Sequence, residues 1–186
     1  MQYTEVAPGI FTIGGFLSPV ECTELIRAAE QKAFEAAPIV TASGPKVEST
    51  TRNNDRLVFD DYAQAVSLWE KGQAFVPRVL GRRTAIGLNE RFRLYRYTPG
   101  QKFSWHTDAP FQRQNGEISL LTFMVYLNDT YEGGATRFES TKVVGSTGMA
   151  LVFQHGLIHE GSEVTTGVKY VLRSDVMFSQ VRNNDA

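Results

Sequence analysis

The sequence predicts a mainly β chain of the α+β class, a sandwich or barrel with helices packed on its outside, and three observations carry that prediction. From Glu90 onward, short β-type runs separated by turn residues follow one another at about 91–98, 118–127, 134–138, 149–154, 157–163 and 168–178. One of them, ISLLTFMVYL at 118–127, is almost wholly apolar, as a strand covered on both faces would be. Ahead of them, within residues 1–89, two stretches with helical spacing offer that cover.

The elements follow in order. Gly9–Gly15, GIFTIGG, alternates apolar residues between glycines and reads as a strand. Ser18-Pro19-Val20-Glu21 is a capping box with proline at the first helical position, so a helix is expected over about Pro19–Phe34. Val20, Leu25, Ile26 and Ala29 form its apolar side, with Glu24, Arg27 and Glu30 on the wetter one. Residues 37–56, rich in Pro, Ser, Thr, Gly and Asn, read as irregular and mobile, with short edge strands. A second helix is expected over about Tyr62–Val79, burying Ala65, Val66, Trp69 and Phe75, although Gly72 and Pro77 weaken its far end. Gly133-Gly134 reads as a tight turn and not a phosphate loop, because no helix N-terminus follows it.

Composition bounds the function classes. At 186 residues the chain is expected to be one domain, with 1–89 as a helical and loop support region and 90–180 as a β-rich core. With 42% hydrophobic and 21% charged residues it is neither disordered nor a membrane span, and no apolar run approaches the roughly 18 residues that a membrane helix needs. The net charge of -1 and the scattered basic residues argue against a nucleic-acid footprint, leaving a small-molecule or peptidyl substrate as the expected partner. The single cysteine, Cys22, permits no intramolecular disulfide, and MQYTEVAPGIF lacks the pattern of a secretory signal, so a reducing, cytoplasmic location is expected. Oligomeric state is not legible, although strand edges commonly pair.

The chemistry concentrates on histidine and aspartate. His106 and Asp108 are separated by one residue, which on extended backbone sends both side chains to the same side. His159 lies in a distant β-type run that a barrel brings back to the same cavity. Two histidines and one carboxylate leave adjacent metal positions open, as in non-haem iron(II) oxygenases. A zinc site of the same ligand set is the alternative. His155, four residues before His159, competes for the third place, and spacing alone does not choose between them.

Around these residues, RLYRYTPGQKFSWHTD, LTFMVYLN, GGATRFE and HEGSEVTTGVKYVLRSD stand in order within residues 91–178. This half of the chain resembles the catalytic core of the prolyl 4-hydroxylase-like 2-oxoglutarate and iron(II) oxygenase superfamily. The resemblance implies a double-stranded β-helix, or jelly roll, with His106, Asp108 and His159 holding iron(II). It implies a lysine or arginine about ten residues beyond the distal histidine, for the far carboxylate of 2-oxoglutarate; Lys169 stands ten residues after His159 and fourteen after His155. It further implies pocket tyrosines at Tyr97 and Tyr126, O2 as a substrate and ascorbate as an available reductant. The implied reaction is hydroxylation of a peptidyl or free amino acid or another small molecule, coupled to conversion of 2-oxoglutarate to succinate and CO2. Asp108 favours hydroxylation or demethylation over halogenation, because related halogenases lack that carboxylate.

On the last strand, Lys169, Val171, Arg173, Asp175 and Met177 share one face, while Tyr170, Leu172, Val176 and Phe178 share the other. The charged face can therefore line the cavity, and Arg173 is a second cation for the cosubstrate or for an acidic substrate group. Arg52 and Arg56 are further candidates for an acidic group. The competing classes are a nucleic-acid demethylase of the same superfamily and a non-catalytic jelly-roll module that binds a metal or ligand.

Overall fold

A computed structural model describes residues 1–41, 44–46, 48 and 50–180. Within the stretch read as mobile, residues 42, 43, 47 and 49 lie outside the described residues. The first half of the chain contributes strands Gln2–Ala7 (β1), Ile10–Gly14 (β2), Glu35–Ala36 (β3), Ile39–Thr41 (β4), Gly44–Lys46 (β5), Asp55–Asp60 (β6), Val79–Leu80 (β7) and Arg83–Leu88 (β8). Helices α1 (Pro19–Glu30) and α2 (Tyr62–Gly72) lie among them. The second half is all strand: Arg91–Tyr97 (β9), Phe103–His106 (β10), Ile118–Tyr126 (β11), Tyr131–Gly133 (β12), Thr136–Phe138 (β13) and Lys142–Val143 (β14). Ala150–Gln154 (β15), His159–Gly161 (β16), Val164–Gly167 (β17) and Lys169–Phe178 (β18) complete it.

A major sheet runs β1-β2-β15-β11-β18-β9-β6-β3, with β8 also on β18, and a minor sheet runs β10-β16-β13-β14. β11 lies between β15 and β18, and its side chains join buried clusters on both faces of the sheet, Leu121, Phe123 and Val125 in one and Met124 and Tyr126 in the other, which explains its apolar character. One face of the major sheet packs on the helices through Cys22, Ala29, Ala65 and Leu68, with Phe92, Leu94, Phe123, Leu172, Val176 and Phe178 from the strands. A second buried cluster, including Tyr95, Tyr97, Tyr126, Phe138, Phe153 and Val171, joins the other face to the minor sheet. The expected jelly roll with helices on its outside is the fold found. No helix among the described residues is long and apolar enough to cross a membrane.

Several expectations need correction. Residues 1–89 carry more strand than a helical and loop support region: β1, β2, β6 and β8 are all members of the major sheet. The capping box starts α1 as expected, with Glu21 N–H donating to Ser18 Oγ at 3.2 Å and Ser18 N–H donating to Glu21 Oε2 at 2.6 Å. That helix ends at Glu30 and not Phe34, which leaves Phe34 free to sit beneath the Arg96 guanidinium. Val20 is 67% exposed, and Cys22 takes the buried position. In α2, Val66 is 57% exposed while Leu68 turns inward. α2 stops at Gly72, where an added Cβ would lie 3.1 Å from the Phe16 ring, and Gln73–Phe75 continues as a 3-10 turn ahead of Pro77.

Candidate metal centre and its cavity

The antiparallel pairing of β10 with β16 sets His106 directly opposite His159, with ring centroids 4.2 Å apart. Asp108 follows β10 and is fixed from behind, its N–H donating to His155 O at 3.0 Å. One ligand atom from each of His106, Asp108 and His159 lies within 4.8 Å of the others, a spacing that can hold one metal ion. His155, the other candidate from the sequence, lies behind this cluster, its ring nitrogens at hydrogen-bond distance from Thr122 Oγ1 (3.0 Å) and Ser119 Oγ (2.9 Å).

The two imidazoles are oriented by the same local device. His106 Nδ1 lies 2.7 Å from Ser104 O, and His159 Nδ1 lies 2.9 Å from Leu157 O, in each case the carbonyl two residues back. A carbonyl only accepts, so Nδ1 carries the proton and Nε2 keeps its lone pair. Those Nε2 atoms face Asp108, at 3.8 Å from Oδ1 and 3.7 Å from Oδ2. Burial, with the neighbouring His159, lowers the His106 pKa to about 4, and burial also lowers that of His159. Both rings are therefore neutral near pH 7. Burial alone would raise the Asp108 pKa, but the Arg173 guanidinium, His159 and the Thr122 hydroxyl together hold it far below the usual carboxylate range. Thr122 Oγ1 donates to Asp108 Oδ2 at 2.5 Å, and Arg173 Nη1 lies 3.0 Å from Asp108 Oδ1.

A narrow recess opens beside this cluster, lined by Tyr97, Thr136, Lys169 and Val171 as well as the three metal-type residues. Lys169 is 2% exposed, and its Nζ donates to Gly134 O at 2.6 Å. The rings of Tyr97, Tyr126 and Tyr131 stand 5.2, 5.4 and 6.0 Å from that nitrogen. Burial lowers the Lys169 pKa to about 7, and no carboxylate pairs with it among the described residues. Gly133 and Gly134 both have positive φ where the chain passes from β12 to β13. A Cβ at Gly134 would lie 3.2 Å from Lys169 Cδ, so the glycine also clears the path of the lysine.

The other predicted residues separate. Tyr97 is buried, lines the recess, and has its pKa pushed up to about 12 by burial. Tyr126 is fully buried with its hydroxyl 2.7 Å from Thr136 Oγ1, and it is not among the recess walls. Arg173 is engaged with Asp108 and, through Nη2, with Asp175 Oδ1 at 3.2 Å. Arg52 and Arg56 line a wider outer cavity of about 470 Å³ that shares Tyr95, Phe103, His106, Asp108 and Arg173 with the recess. Arg56 pairs with Glu35 at 2.8 Å. Thr122 went unread in the sequence; a lone threonine in an otherwise apolar strand was its signal.

Comparison with known proteins points to one family. The sequence model of the 2OG-Fe(II) oxygenase superfamily matches residues 92–174, which hold all three metal-type residues and Lys169. That stretch of the chain, a little under half of it, is similar to the 2-oxoglutarate and iron(II) oxygenase superfamily. Within that superfamily it is similar to the probable prolyl 4-hydroxylase 3 of Arabidopsis thaliana, at 27% identity over 152 residues, or 76% of this chain and 50% of that one. Prolyl 4-hydroxylase 1 of the same plant is 27% identical over 137 residues, or 71% and 47% of the two chains. The chain thus spans about half the length of the curated relatives it matches. In fold it is similar to the viral collagen prolyl hydroxylase of Paramecium Bursaria Chlorella virus-1, with TM-score 0.63, 23% identity, and coverage of 93% and 99%. It is similar too to a Pseudomonas putida prolyl-4-hydroxylase, with TM-score 0.64, 17% identity and 94% of both chains.

Similarity to the oxygenase superfamily implies iron(II) and 2-oxoglutarate, and the residues present fit both. Two neutral imidazole nitrogens and one carboxylate converge as a donor set for a divalent ion. A buried ammonium group with only a carbonyl partner suits a dicarboxylate.

Proposed function

We propose that this chain is an iron(II)- and 2-oxoglutarate-dependent hydroxylase of a peptidyl or free amino acid, with 1–186 read as one oxygenase domain. In this reading His106, Asp108 and His159 are the metal ligands. Lys169 is the cation for the distal carboxylate of 2-oxoglutarate. The observation that carries the reading is the convergence of two neutral Nε2 atoms, from half-buried His106 and buried His159, on one buried carboxylate, with a buried lysine that has no carboxylate partner among the described residues lining the same recess.

Iron(II) bound there supplies the oxidising chemistry, in which substrate C–H, O2 and 2-oxoglutarate give substrate C–OH, succinate and CO2. The chain's own groups set the stage. Ser104 O and Leu157 O fix the imidazole tautomers and ring planes. Thr122 and Arg173 hold the Asp108 carboxylate from its two oxygens, which keeps it ionised and limits its rotation. Phe103, 3.5 Å from the His106 ring centroid, and Phe153, 4.6 Å from that of His159, exclude water from the ligands. Between the two cations on β18, Lys169 is favoured for the cosubstrate, because Arg173 is already bonded to two carboxylates. The names of the relatives make prolyl compounds the first substrates to try.

The test is succinate formation by the purified chain with iron(II), 2-oxoglutarate and O2, screened against amino acids and proline-containing peptides. The proposal expects turnover that requires iron, is stimulated by one substrate class, and disappears in His159→Ala. Metal binding without consumption of 2-oxoglutarate would make the chain a binding module instead.

A further inference from the structure

Among the described residues, the outer cavity holds one arginine with no carboxylate partner. Its other arginines are accounted for: Arg56 meets Glu35 at 2.8 Å, Arg93 meets Asp175 at 3.5 Å, and Arg173 meets both Asp108 and Asp175. Arg52 is different. It is 6% exposed, its Nε donates to Asn54 Oδ1 at 2.9 Å and its Nη1 to Pro38 O at 3.4 Å, both neutral acceptors. Its Nη2 is buried with no acceptor, and no carboxylate pairs with the guanidinium among the described residues. A buried guanidinium left without a counter-charge is unfavourable, and neutral acceptors compensate it only in part.

The surroundings hold this group rigidly at the cavity wall. The guanidinium carbon lies 4.2 Å from the Phe103 ring and 4.7 Å from the Tyr95 ring, so it is stacked against two aromatic walls. Its backbone is tied to the approach of β10, with Arg52 bridged to Phe103, Asn53 N–H donating to Lys102 O at 3.3 Å and Ser104 N–H donating to Thr51 O at 2.8 Å. Phe103 in turn stacks on His106. One aromatic side chain therefore touches both the unpaired cation and a metal-type histidine. The inner recess, where Lys169 lies, does not include Arg52 among its walls. Lys169 and Arg52 thus line different parts of the cavity.

We infer that Arg52 anchors a carboxylate of the substrate, so that the molecule hydroxylated is a free amino acid or a peptide chain end and not a neutral internal segment. The inference rests on the oxygenase reading above and deepens it to a substrate class. The carboxylate sits on the fork of Arg52 in the outer cavity, and the adjacent carbon skeleton faces His106 and Asp108. An arginine fork takes a carboxylate through two parallel N–H donors, of which Nη2 is already free.

The experiment compares acids with their carboxamides on the full chain. The probes are the free L-amino acids and their amides, then a short proline-terminated peptide as acid and as amide. Succinate release is read with iron(II), and calorimetric binding is read anaerobically with manganese(II) and 2-oxoglutarate present. At least one acid is expected to exceed its amide by about 10- to 100-fold in both readouts, in line with a charge-assisted hydrogen bond. The preference should fall to near unity in Arg52→Gln and be partly kept in Arg52→Lys, with 2-oxoglutarate affinity unchanged in both. Stimulation by free acids alone, or by the peptide acid as well, separates the two sources of the carboxylate. The absence of any acid preferred over its amide overturns the inference, as does equal preference in Arg52→Gln. Loss of 2-oxoglutarate binding in Arg52→Gln with retention in Arg52→Lys also overturns it, by making the anion the cosubstrate. If wild type binds no 2-oxoglutarate, the oxygenase reading itself fails, which calorimetry detects before any substrate is added.

Discussion

Along β18, alternate residues are buried to similar degrees on opposite sides of one backbone, against very different surroundings. Leu172, Val176 and Phe178 join the cluster that packs on the two helices, where each neighbour is apolar. Lys169, Val171 and Arg173 face the recess, where the neighbours are tyrosines, Asp108 and two imidazoles. The helix side gains stability from area removed from water, roughly 1.5–3 kcal/mol for each large side chain. The cavity side spends stability on charges held out of water, and regains it only when an anion or metal arrives. Burial therefore says little about role until the partner on each side is named.

Changes on the two faces should have opposite signatures. On the helix side, Leu172→Ala should destabilise the fold by about 2–5 kcal/mol while leaving 2-oxoglutarate affinity of the folded protein unchanged, as denaturant melts and calorimetry would read. On the cavity side, Lys169→Met should weaken 2-oxoglutarate binding by about 10- to 100-fold with little loss of iron affinity, since the proposal gives the lysine to the cosubstrate and not to the metal. A parallel loss of both affinities would assign Lys169 to structure.

The pH dependence sharpens this contrast. Burial lowers the Lys169 pKa from its ordinary value of 10.5 to about 7 in the folded protein. The unfolded chain therefore binds a proton that the folded chain lacks between those values, and stability rises with pH across that window. Without bound anion, Lys169→Met should be more stable than wild type below pH 7, with the advantage shrinking toward pH 10.5. Binding of 2-oxoglutarate needs the charged lysine, so its affinity should fall by up to about tenfold per unit above pH 7. In Lys169→Arg that slope should flatten. An effect of similar size is expected behind the metal-type residues: Thr122→Val removes the hydroxyl that orients Asp108 and should weaken iron binding about 10- to 100-fold without altering the fold.

Most of the catalytic half was legible because its chemistry is written locally. The His106-x-Asp108 spacing, the ten-residue step from His159 to Lys169 and the period-two pattern of β18 each fix a side chain's direction from neighbouring residues alone. What escaped depends on distant pairing. β6, DRLVFD, and β8, RTAIGL, are half-polar strands that acquire meaning only beside β9 and β18. Tyr126 could be placed in a strand, but its bond to Thr136 depends on how the two segments fold together. Arg52 sits in an Asn-rich stretch that reads as solvated; only the approach of Tyr95 and Phe103 buries it. The helix faces failed at Val20 and Val66 because apolar spacing admits more than one stripe, and the major sheet selects Cys22 and Leu68.

The central claim is that His106, Asp108 and His159 hold iron while Lys169 receives 2-oxoglutarate in the same cavity. Anaerobic titration with iron(II) and then 2-oxoglutarate tests it most directly, through the weak visible charge-transfer absorption of a chelated 2-oxo acid. The account predicts a band that saturates near one equivalent of iron, is absent in His159→Ala, and needs a higher 2-oxoglutarate concentration in Lys169→Met. Bound metal with no band in the wild-type chain would contradict it.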